Sequence, residues 1–271
     1  MTSVNVGGVN IFYEVMGQGA PLVMIQGFGQ NSLQWGPIPA ELAKQYKVIL
    51  VDNRGTGRSD KPDSPMTIPM LADDVAHVLD ALSISKASIF GVSMGGLISQ
   101  RFAINHPDRV INLVLGCTFP SGPHHVQAPA DGIRVLFDFE YLKNMTPEQR
   151  TMEVFRFMCS EKYIDAHPEA YKAYHEATVG YPTPTRMFKQ QGGAIGKEDT
   201  WQELPLISVP TLLITGTADR MVPHQNSENL AKRIPGAELV LLPDMRHGFY
   251  IEAMGETINA IKAFIKRNKP A

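Results

Sequence analysis

Short apolar runs alternate along this chain with segments in which apolar residues recur every three or four positions. Six of these runs hold five to seven mostly apolar residues, a pattern typical of strands covered on both faces of a sheet. Before them, residues 4–6 and 10–15 flank Gly7 and Gly8 and predict an antiparallel hairpin. The six predicted strands are 21–26, 46–51, 87–91, 110–116, 210–216 and 237–242.

Helical periodicity fills the gaps between the predicted strands. The predicted helices are 38–44, 68–82, 94–105, 225–233 and 255–266. Strands that alternate with helices in this way predict a mostly parallel, doubly wound α/β sheet. The antiparallel hairpin supplies its first two strands.

Residues 121–204 interrupt the alternation, because they contain helical patterns and no strand pattern. The predicted helices there are 133–142, 147–159, 168–178 and 185–192. Strands on both sides of this segment are needed to complete one core. We therefore predict an α/β core made of 1–120 and 205–271, with 121–204 inserted as a helical lid before the last two strands.

Charge and composition exclude several classes of partner. A formal net charge of −2 and a pI near 6.4 give no electrostatic reason to expect a nucleic acid or an anionic membrane. The first ten residues have neither a basic start nor an apolar core, and no apolar run reaches membrane-spanning length. We expect a cytoplasmic monomer or homodimer whose two cysteines, Cys117 and Cys159, are buried free thiols.

A serine between two glycines stands at the junction of a predicted strand and a predicted helix, in the sequence GVSMG at 91–95. At such a corner the side chain of Ser93 stands clear of the sheet, and N–H groups at the helix start face the charge that develops on a bound carbonyl. Gly91 and Gly95 are required because a Cβ would strike the tightly folded backbone. The pattern therefore marks Ser93 as a candidate nucleophile.

Three further motifs precede this corner in a fixed order. They are 17–21 (GQGAP), the glycine turn 26–29 (QGFG) and the stretch 52–60 (DNRGTGRSD). In their order these motifs resemble the α/β-hydrolase family, above all its small lidded carboxylesterases, enol-lactonases and cofactor-free haloperoxidases. The resemblance covers nearly the whole chain except the lid. It implies the α/β-hydrolase fold and gives 52–60 a framework role; the chain has no P-loop or dinucleotide-binding motif.

The resemblance also implies a catalytic triad in the chain order Ser, Asp, His. Asp219 follows the predicted strand 210–216 and occupies the family's acid position, whereas Asp199 and Asp244 are weaker candidates. His247 follows the last predicted strand and is the favoured base, because a loop there can reach the serine. His224 lies only five residues from the acid, an awkward separation for a triad.

The oxyanion of acyl transfer needs two donors, which the resemblance places at the backbone N–H groups of Phe28 and Met94. Relatives usually carry His-Gly where this chain has Gln26 and Gly27. Since the donors are backbone groups, the oxyanion hole is expected to survive this departure. Gln26 either holds the loop with its amide or is a neutral replacement, and the sequence leaves both alternatives open.

The predicted lid carries more aromatic and methionine side chains than short helices need for their own packing, so some should line an apolar substrate pocket near Ser93. The alternative is a lid core closed on itself. The expected pocket residues are Phe137, Phe139, Tyr141, Phe155, Met158 and Met187. Arg134, Arg156 and Arg186 could meet an acidic group of the substrate.

These expectations describe a serine hydrolase of small carboxylic esters or lactones that forms an acyl-enzyme and needs no cofactor. The same residues could instead cleave a carbon–carbon bond in a vinylogous diketone, or support haloperoxidase or perhydrolase chemistry. The fold could also serve a ligand-binding receptor with little turnover. Adjacent His124 and His125 could suggest a metal, but no third ligand follows at a useful spacing, and we predict no metal.

Overall fold

A single sheet of eight strands runs through the chain in the computed structural model, which describes residues 2–269; residues 1, 270 and 271, the outer ends of the predicted core, lie outside the described residues. The strands are β1 Ser3–Val6, β2 Val9–Met16, β3 Ala20–Ile25, β4 Tyr46–Val51, β5 Ala87–Val92, β6 Val110–Gly116, β7 Thr211–Gly216 and β8 Glu238–Leu242. Their order across the sheet is β1-β2-β4-β3-β5-β6-β7-β8. The first two pairings are antiparallel and the others are parallel, so the predicted sheet with its opening hairpin is confirmed.

The helices of the described residues include the five that were predicted outside 121–204, each to within one residue at either end. They are α1 Ile38–Ala43, α2 Ile68–Ala81, α3 Met94–Asn105, α4 Ala130–Phe137, α5 Phe139–Lys143, α6 Pro147–Met158, α7 Glu161–Ala166, α8 Pro168–Gly180, α9 Thr185–Lys197, α10 Gln225–Arg233, α11 Phe249–Glu252 and α12 Met254–Arg267. Among residues 2–269 no helix combines the length and the apolar character that crossing a membrane would require.

Between β6 and β7 the chain forms six helices where four were predicted. The predicted helix 133–142 is divided because Asp138 leaves helical geometry (φ −87°, ψ 84°) and its carboxylate caps α5 by accepting the N–H of Tyr141 at 2.9 Å. The unpredicted α7 is capped in the same way by Ser160. Helix α9 runs five residues beyond its predicted end at Gly192, because packing of its buried face outweighs the low helix propensity of its glycines.

The core occupies both faces of the sheet. In β5, Ile89 packs in one apolar cluster with residues of α2, α3 and α10, whereas the next residue, Phe90, packs in a second cluster with residues of α1 and α12. Every residue of β5 is buried. This two-sided burial explains why the central strands read as continuous apolar runs, and it leaves the carboxyl ends of the strands as the place where polar side chains can gather.

The stretch 52–60 forms a hydrogen-bonded framework at this carboxyl edge. The side chain of Asp52 is fully buried; Oδ1 accepts the N–H of Ser32 at 2.7 Å, and Oδ2 accepts the N–H and Nε–H of Arg58 at 2.9 and 3.0 Å. These contacts tie the loop after β4 to the loop after β3, which carries the glycine turn. They support the structural role expected for this stretch.

Arg54→Met is expected to destabilise the fold by about 3–5 kcal/mol, because it leaves the carboxylate of Asp74 buried without its partner. The pair is bidentate, with Nε and Nη2 of Arg54 2.7 and 2.5 Å from the two carboxylate oxygens, and both side chains are under one tenth exposed. Burial raises the pKa of Asp74, and the guanidinium opposes that rise. Urea unfolding measures the loss.

The matched control for Arg54→Met is Lys44→Met, which breaks the ion pair to Glu41 on the surface, where the two side chains are 65% and 39% exposed. This variant should change the free energy of unfolding by less than about 1 kcal/mol. Equal losses of unfolding free energy in the two variants would contradict the expectation that the buried pair stabilises the fold more than the surface pair does.

Candidate active site

Ser93 forms the corner between β5 and α3. Its backbone has φ 54° and ψ −123°, a conformation that costs a residue with a Cβ about 1–3 kcal/mol and persists only where the surroundings hold it. The two flanking glycines let the chain fold this tightly. A Cβ on Gly91 would strike the carbonyl oxygen of Gly95, and a Cβ on Gly95 would strike that of Ile25.

The loop after β6 holds this corner from the neighbouring strand. The N–H of Ser93 donates to the carbonyl of Gly116 at 2.9 Å, and the hydroxyl of Thr118 donates to the carbonyl of Ser93 at 2.7 Å. Between these two contacts lies Cys117, which is fully buried and has φ 36°. The predicted free, buried thiol is therefore present, and it lies directly beside the backbone of Ser93.

Asp219 and His247 follow β7 and β8 and meet at the same edge of the sheet. Nδ1 of His247 is 2.7 Å from Oδ2 of Asp219, and both side chains are almost completely buried. The second carboxylate oxygen accepts the N–H groups of Met221 and Val222 at 2.8 and 2.9 Å, which fixes the carboxylate in place. A carboxylate on Nδ1 keeps a proton on that nitrogen and leaves Nε2 as the acceptor.

The surroundings of His247 favour its protonated form. Burial lowers its pKa, whereas the charge of Asp219, the neighbouring Cys117 and the hydrogen bonds to both raise it, and the net result is well above the ordinary value for histidine. Nε2 faces the thiol of Cys117, with Sγ at 3.9 Å. Burial raises the pKa of that thiol, an effect that His247 opposes in part.

The loop that carries Cys117 contacts both the backbone of Ser93 and the imidazole of His247. Within residues 2–269, no hydrogen bond joins the hydroxyl of Ser93 to Nε2 of His247. Hydrogen bonds between catalytic groups are often long without substrate and tighten when it binds. The structure thus joins the predicted acid and base directly and places the predicted nucleophile on the adjoining loop.

Among residues 2–269, one group of side chains has the spacing of a metal site: the ligand atoms of Cys117, Asp219 and His247 lie within 4.8 Å of one another. Asp219 and His247 are already hydrogen-bonded to each other through Oδ2 and Nδ1 at 2.7 Å. His124 and His125 do not converge on a common point, because they stack on Trp201 and Phe119 with ring centroids 4.3 and 4.4 Å apart.

The two N–H groups predicted to form the oxyanion hole are free. Those of Phe28 and Met94 donate to no acceptor within residues 2–269, whereas the N–H of Gly29 donates to Oε1 of Gln191 at 2.8 Å. The glycine turn also adjoins the serine, since a Cβ on Gly27 would lie 3.1 Å from the Cβ of Ser93. Phe28 and Met94 therefore stand on the two backbone segments that border Ser93.

Gln26 is fully buried at the start of the glycine turn. Its Oε1 accepts the N–H of Gly27 at 3.1 Å, its Nε2 donates to the hydroxyl of Tyr250 at 3.4 Å, and its carbonyl accepts from Nδ2 of Asn53 at 3.0 Å. Of the two alternatives left open by the sequence, the geometry favours an amide that holds the loop. Its contact with Tyr250 joins residues 224 positions apart, which local sequence patterns do not reveal.

The other candidate acids and bases have local roles. Nε2 of His224, the residue before α10, is 3.7 Å from Oε1 of Glu228 in that helix. The carboxylate of Asp199 accepts the N–H of Trp201 at 3.0 Å, and Asp244 is exposed at a turn with φ 61°.

Two of the predicted pocket residues lie at the glycine turn or beside His247. The ring of Phe28 lies 5.2 Å from that of Phe137 and 5.3 Å from that of Phe188, which was not among the six expected pocket residues. The carbonyl of Met158 accepts the N–H of Gly248, the residue after His247, at 2.6 Å.

The remaining four predicted pocket residues lie elsewhere. The ring of Phe139 lies 6.2 Å from that of Phe188. Met187 is buried against the loop after β4. Tyr141 donates to Glu153 at 2.8 Å and lies under Arg134, and Phe155 is buried between Tyr171 and Tyr174. Self-packing of the inserted helices therefore accounts for part of the set.

The three arginines considered for an acidic substrate group have partners of their own. Arg134 lies 4.4 Å from the centre of the Tyr141 ring, Arg156 is 3.7 Å from Glu161, and Arg186 is 2.9 Å from Asp63. The last two side chains are about half exposed. These contacts give no support to an arginine that faces Ser93.

Known proteins resemble this chain over most of its length. A candidate carbamate hydrolase, RutD, of Azorhizobium caulinodans is 30% identical over 90% of this chain and 90% of that protein. The pimeloyl-acyl-carrier-protein methyl ester esterase of Aeromonas hydrophila is 27% identical over 95% of this chain and 100% of that protein.

The fold has solved counterparts as well. The enol-lactonase from Burkholderia xenovorans LB400 superposes with a TM-score of 0.84 at 25% identity, over 98% of this chain and 100% of that chain. The family model described as the alpha/beta hydrolase fold matches residues 20–253, most of the chain. The sheet, the glycine-flanked serine corner and these matches agree, and the chain belongs to the α/β-hydrolase family.

Proposed function

We propose that this protein is a serine hydrolase that cleaves carboxylic esters or lactones of small, largely apolar substrates. The observation that carries the proposal is the buried pair of Asp219 and His247, joined at 2.7 Å beside a serine held in a strained corner. Its relatives support the same class of reaction, since they include a methyl ester esterase and an enol-lactonase.

In the proposed reaction Oγ of Ser93 attacks the substrate carbonyl while its proton moves to Nε2 of His247. Asp219 stabilises the imidazolium, and the N–H groups of Phe28 and Met94 donate to the oxyanion. His247 then protonates the leaving alcohol, which leaves an acyl group on Ser93. Water that gives its proton to His247 releases the acid. In a lactone the alcohol remains attached to the acyl group, and no step uses a cofactor.

We also propose that residues 121–204 act as a lid over a core made of 1–120 and 205–271, and that the substrate lies between the two. Phe137, Phe188 and Met158 would supply the apolar surface, because they reach the glycine turn or the residue after His247. An apolar wall with few polar groups suits a small uncharged substrate.

A fluorophosphonate probe followed by a series of p-nitrophenyl esters tests the proposal. We expect one label per chain, mapped to Ser93 by peptide mass spectrometry, and a burst of p-nitrophenol from the formation of the acyl-enzyme. Saturable ligand binding without label or burst would identify a receptor instead. Label without ester turnover would favour carbon–carbon bond cleavage, and turnover confined to acetate with peroxide would favour perhydrolase chemistry.

A further inference from the structure

The side chain of Gln191 in α9 is fully buried, and its two ends have different surroundings. Oε1 accepts the N–H of Gly29 at 2.8 Å, whereas Nε2 has no hydrogen-bond partner within residues 2–269. Because a backbone N–H can only donate, the end that faces Gly29 must be the carbonyl oxygen, so the amide cannot be flipped. A buried donor left without a partner costs about 1–3 kcal/mol.

The helix α9 contacts three loops at the carboxyl edge of the sheet, the edge where Ser93 lies. Along the helix, Met187 contacts the loop after β4, Gln191 contacts the loop after β3, and the carbonyl of Ile195 accepts the hydroxyl of Ser121 in the loop after β6. In the sheet β5 lies between β3 and β6, and Ser93 follows β5. The helix therefore crosses the end of β5 between residues 191 and 195.

Apolar rings pack around Gln191 where α9 meets the glycine turn. A Cβ on Gly29 (φ 69°) would strike the ring of Phe188, and a Cβ on Gly192 would meet the rings of Phe137 and Phe28 at 3.7 and 3.9 Å. This packing holds the amide of Gln191 at a fixed place beside the loop that carries Phe28. A small number of polar groups in an apolar wall is the usual composition of a small-molecule site.

We propose that Nε2 of Gln191 donates a hydrogen bond to a second oxygen of the substrate, and that the protein therefore prefers esters or lactones with an ether or carbonyl oxygen close to the scissile carbonyl. This inference rests on the proposed function, since it assigns Gln191 to the substrate site of Ser93. It adds a specificity-determining residue, and it defines the substrate class by the acceptor that the amide requires.

Two matched pairs of esters test the inference. One pair differs in the acyl group, p-nitrophenyl methoxyacetate against p-nitrophenyl butyrate; the other differs in the alcohol, 2-methoxyethyl butyrate against butyl butyrate. In each pair an oxygen replaces a methylene. For at least one pair, Gln191→Met should lower the ratio of kcat/KM values, ether over alkyl, by about 3- to 10-fold relative to the wild type. Taking the ratio in both proteins cancels the intrinsic reactivity of the esters.

A second variant tests whether Gln191→Met acts only by loosening the glycine turn. Gln191→Glu keeps an oxygen for the N–H of Gly29 and, at alkaline pH, has no proton to donate, so it should lower the same ratio. Gln190→Met is the control, because that neighbouring amide donates to the carbonyl of Asp63 at 3.1 Å; its ratios should equal those of the wild type. Unchanged ratios for both pairs in both Gln191 variants would overturn the inference and leave the NH₂ group to a buried water.

Failure of the proposed function has a different signature. If the wild type hydrolysed none of the four esters, the proposed function would fail. The contact of Gln191 would then be measured by calorimetric binding of the same esters to the wild type and to Gln191→Met. Loss of the preference for the ether in the variant would support the contact without turnover, and equal affinities would overturn it.

Discussion

Ser93→Ala should lower kcat for ester hydrolysis by at least about 10⁴-fold, because the proposed acyl-enzyme cannot form without the hydroxyl. The fold should be little affected. The hydroxyl of Ser93 donates to no acceptor within residues 2–269, and alanine carries the same Cβ through the strained corner. Single-turnover kinetics with p-nitrophenyl butyrate measure the loss, and thermal unfolding followed by circular dichroism checks the fold.

The thiol of Cys117 is the alternative nucleophile that this variant tests. Cys117 is the other nucleophilic side chain in this cluster, with Sγ 3.9 Å from Nε2 of His247. Ester turnover that survives in Ser93→Ala and disappears when Cys117→Ala is added would assign the nucleophile to the thiol. The raised pKa of Cys117 argues against that outcome, because the thiolate is the reactive form.

The strands of this fold could be located from the sequence because two-sided burial leaves a strong local signal. In β5 neighbouring residues such as Ile89 and Phe90 face opposite apolar layers, so the whole run is apolar and its ends are sharp. The inserted helices carry a weaker signal. A capping aspartate, Asp138, divides one predicted helix, and tertiary packing carries α9 past Gly192, where propensity predicts an end.

In the candidate site, too, residues next to strands could be predicted, whereas residues placed by tertiary packing could not. Asp219 and His247 could be proposed because each follows a recognisable strand, and the carboxyl ends of parallel strands converge at one edge of the sheet. Gln191 could not, because its place depends on how α9 lies across that edge, and no local pattern encodes the crossing. Tyr141, an aromatic residue that was expected in the pocket, contacts Glu153 and Arg134, and its residue type alone does not predict these partners.

His247→Ala should lower kcat/KM for ester hydrolysis by at least about 10³-fold, since the proposed mechanism then lacks both the base for Ser93 and the acid for the leaving alcohol. His224→Ala is the matched control. That histidine also lies on a loop after β7, but it pairs with Glu228 at 3.7 Å, and its loss should change kcat/KM by less than about 3-fold. A larger loss in His224→Ala than in His247→Ala would overturn the assignment of the base.

The pH dependence of the wild type tests the same residue without a mutation. Only the neutral imidazole can accept the proton of Ser93, so kcat/KM must fall as the pH drops through the pKa of free His247. Burial lowers that pKa, but the charge of Asp219, the neighbouring Cys117 and the hydrogen bonds to both together raise it well above the ordinary value. The loss should therefore begin at a higher pH than about 6.5, the ordinary pKa of histidine. A profile that is flat down to pH values well below that pKa would show that the group accepting the proton is not a histidine paired with a buried carboxylate.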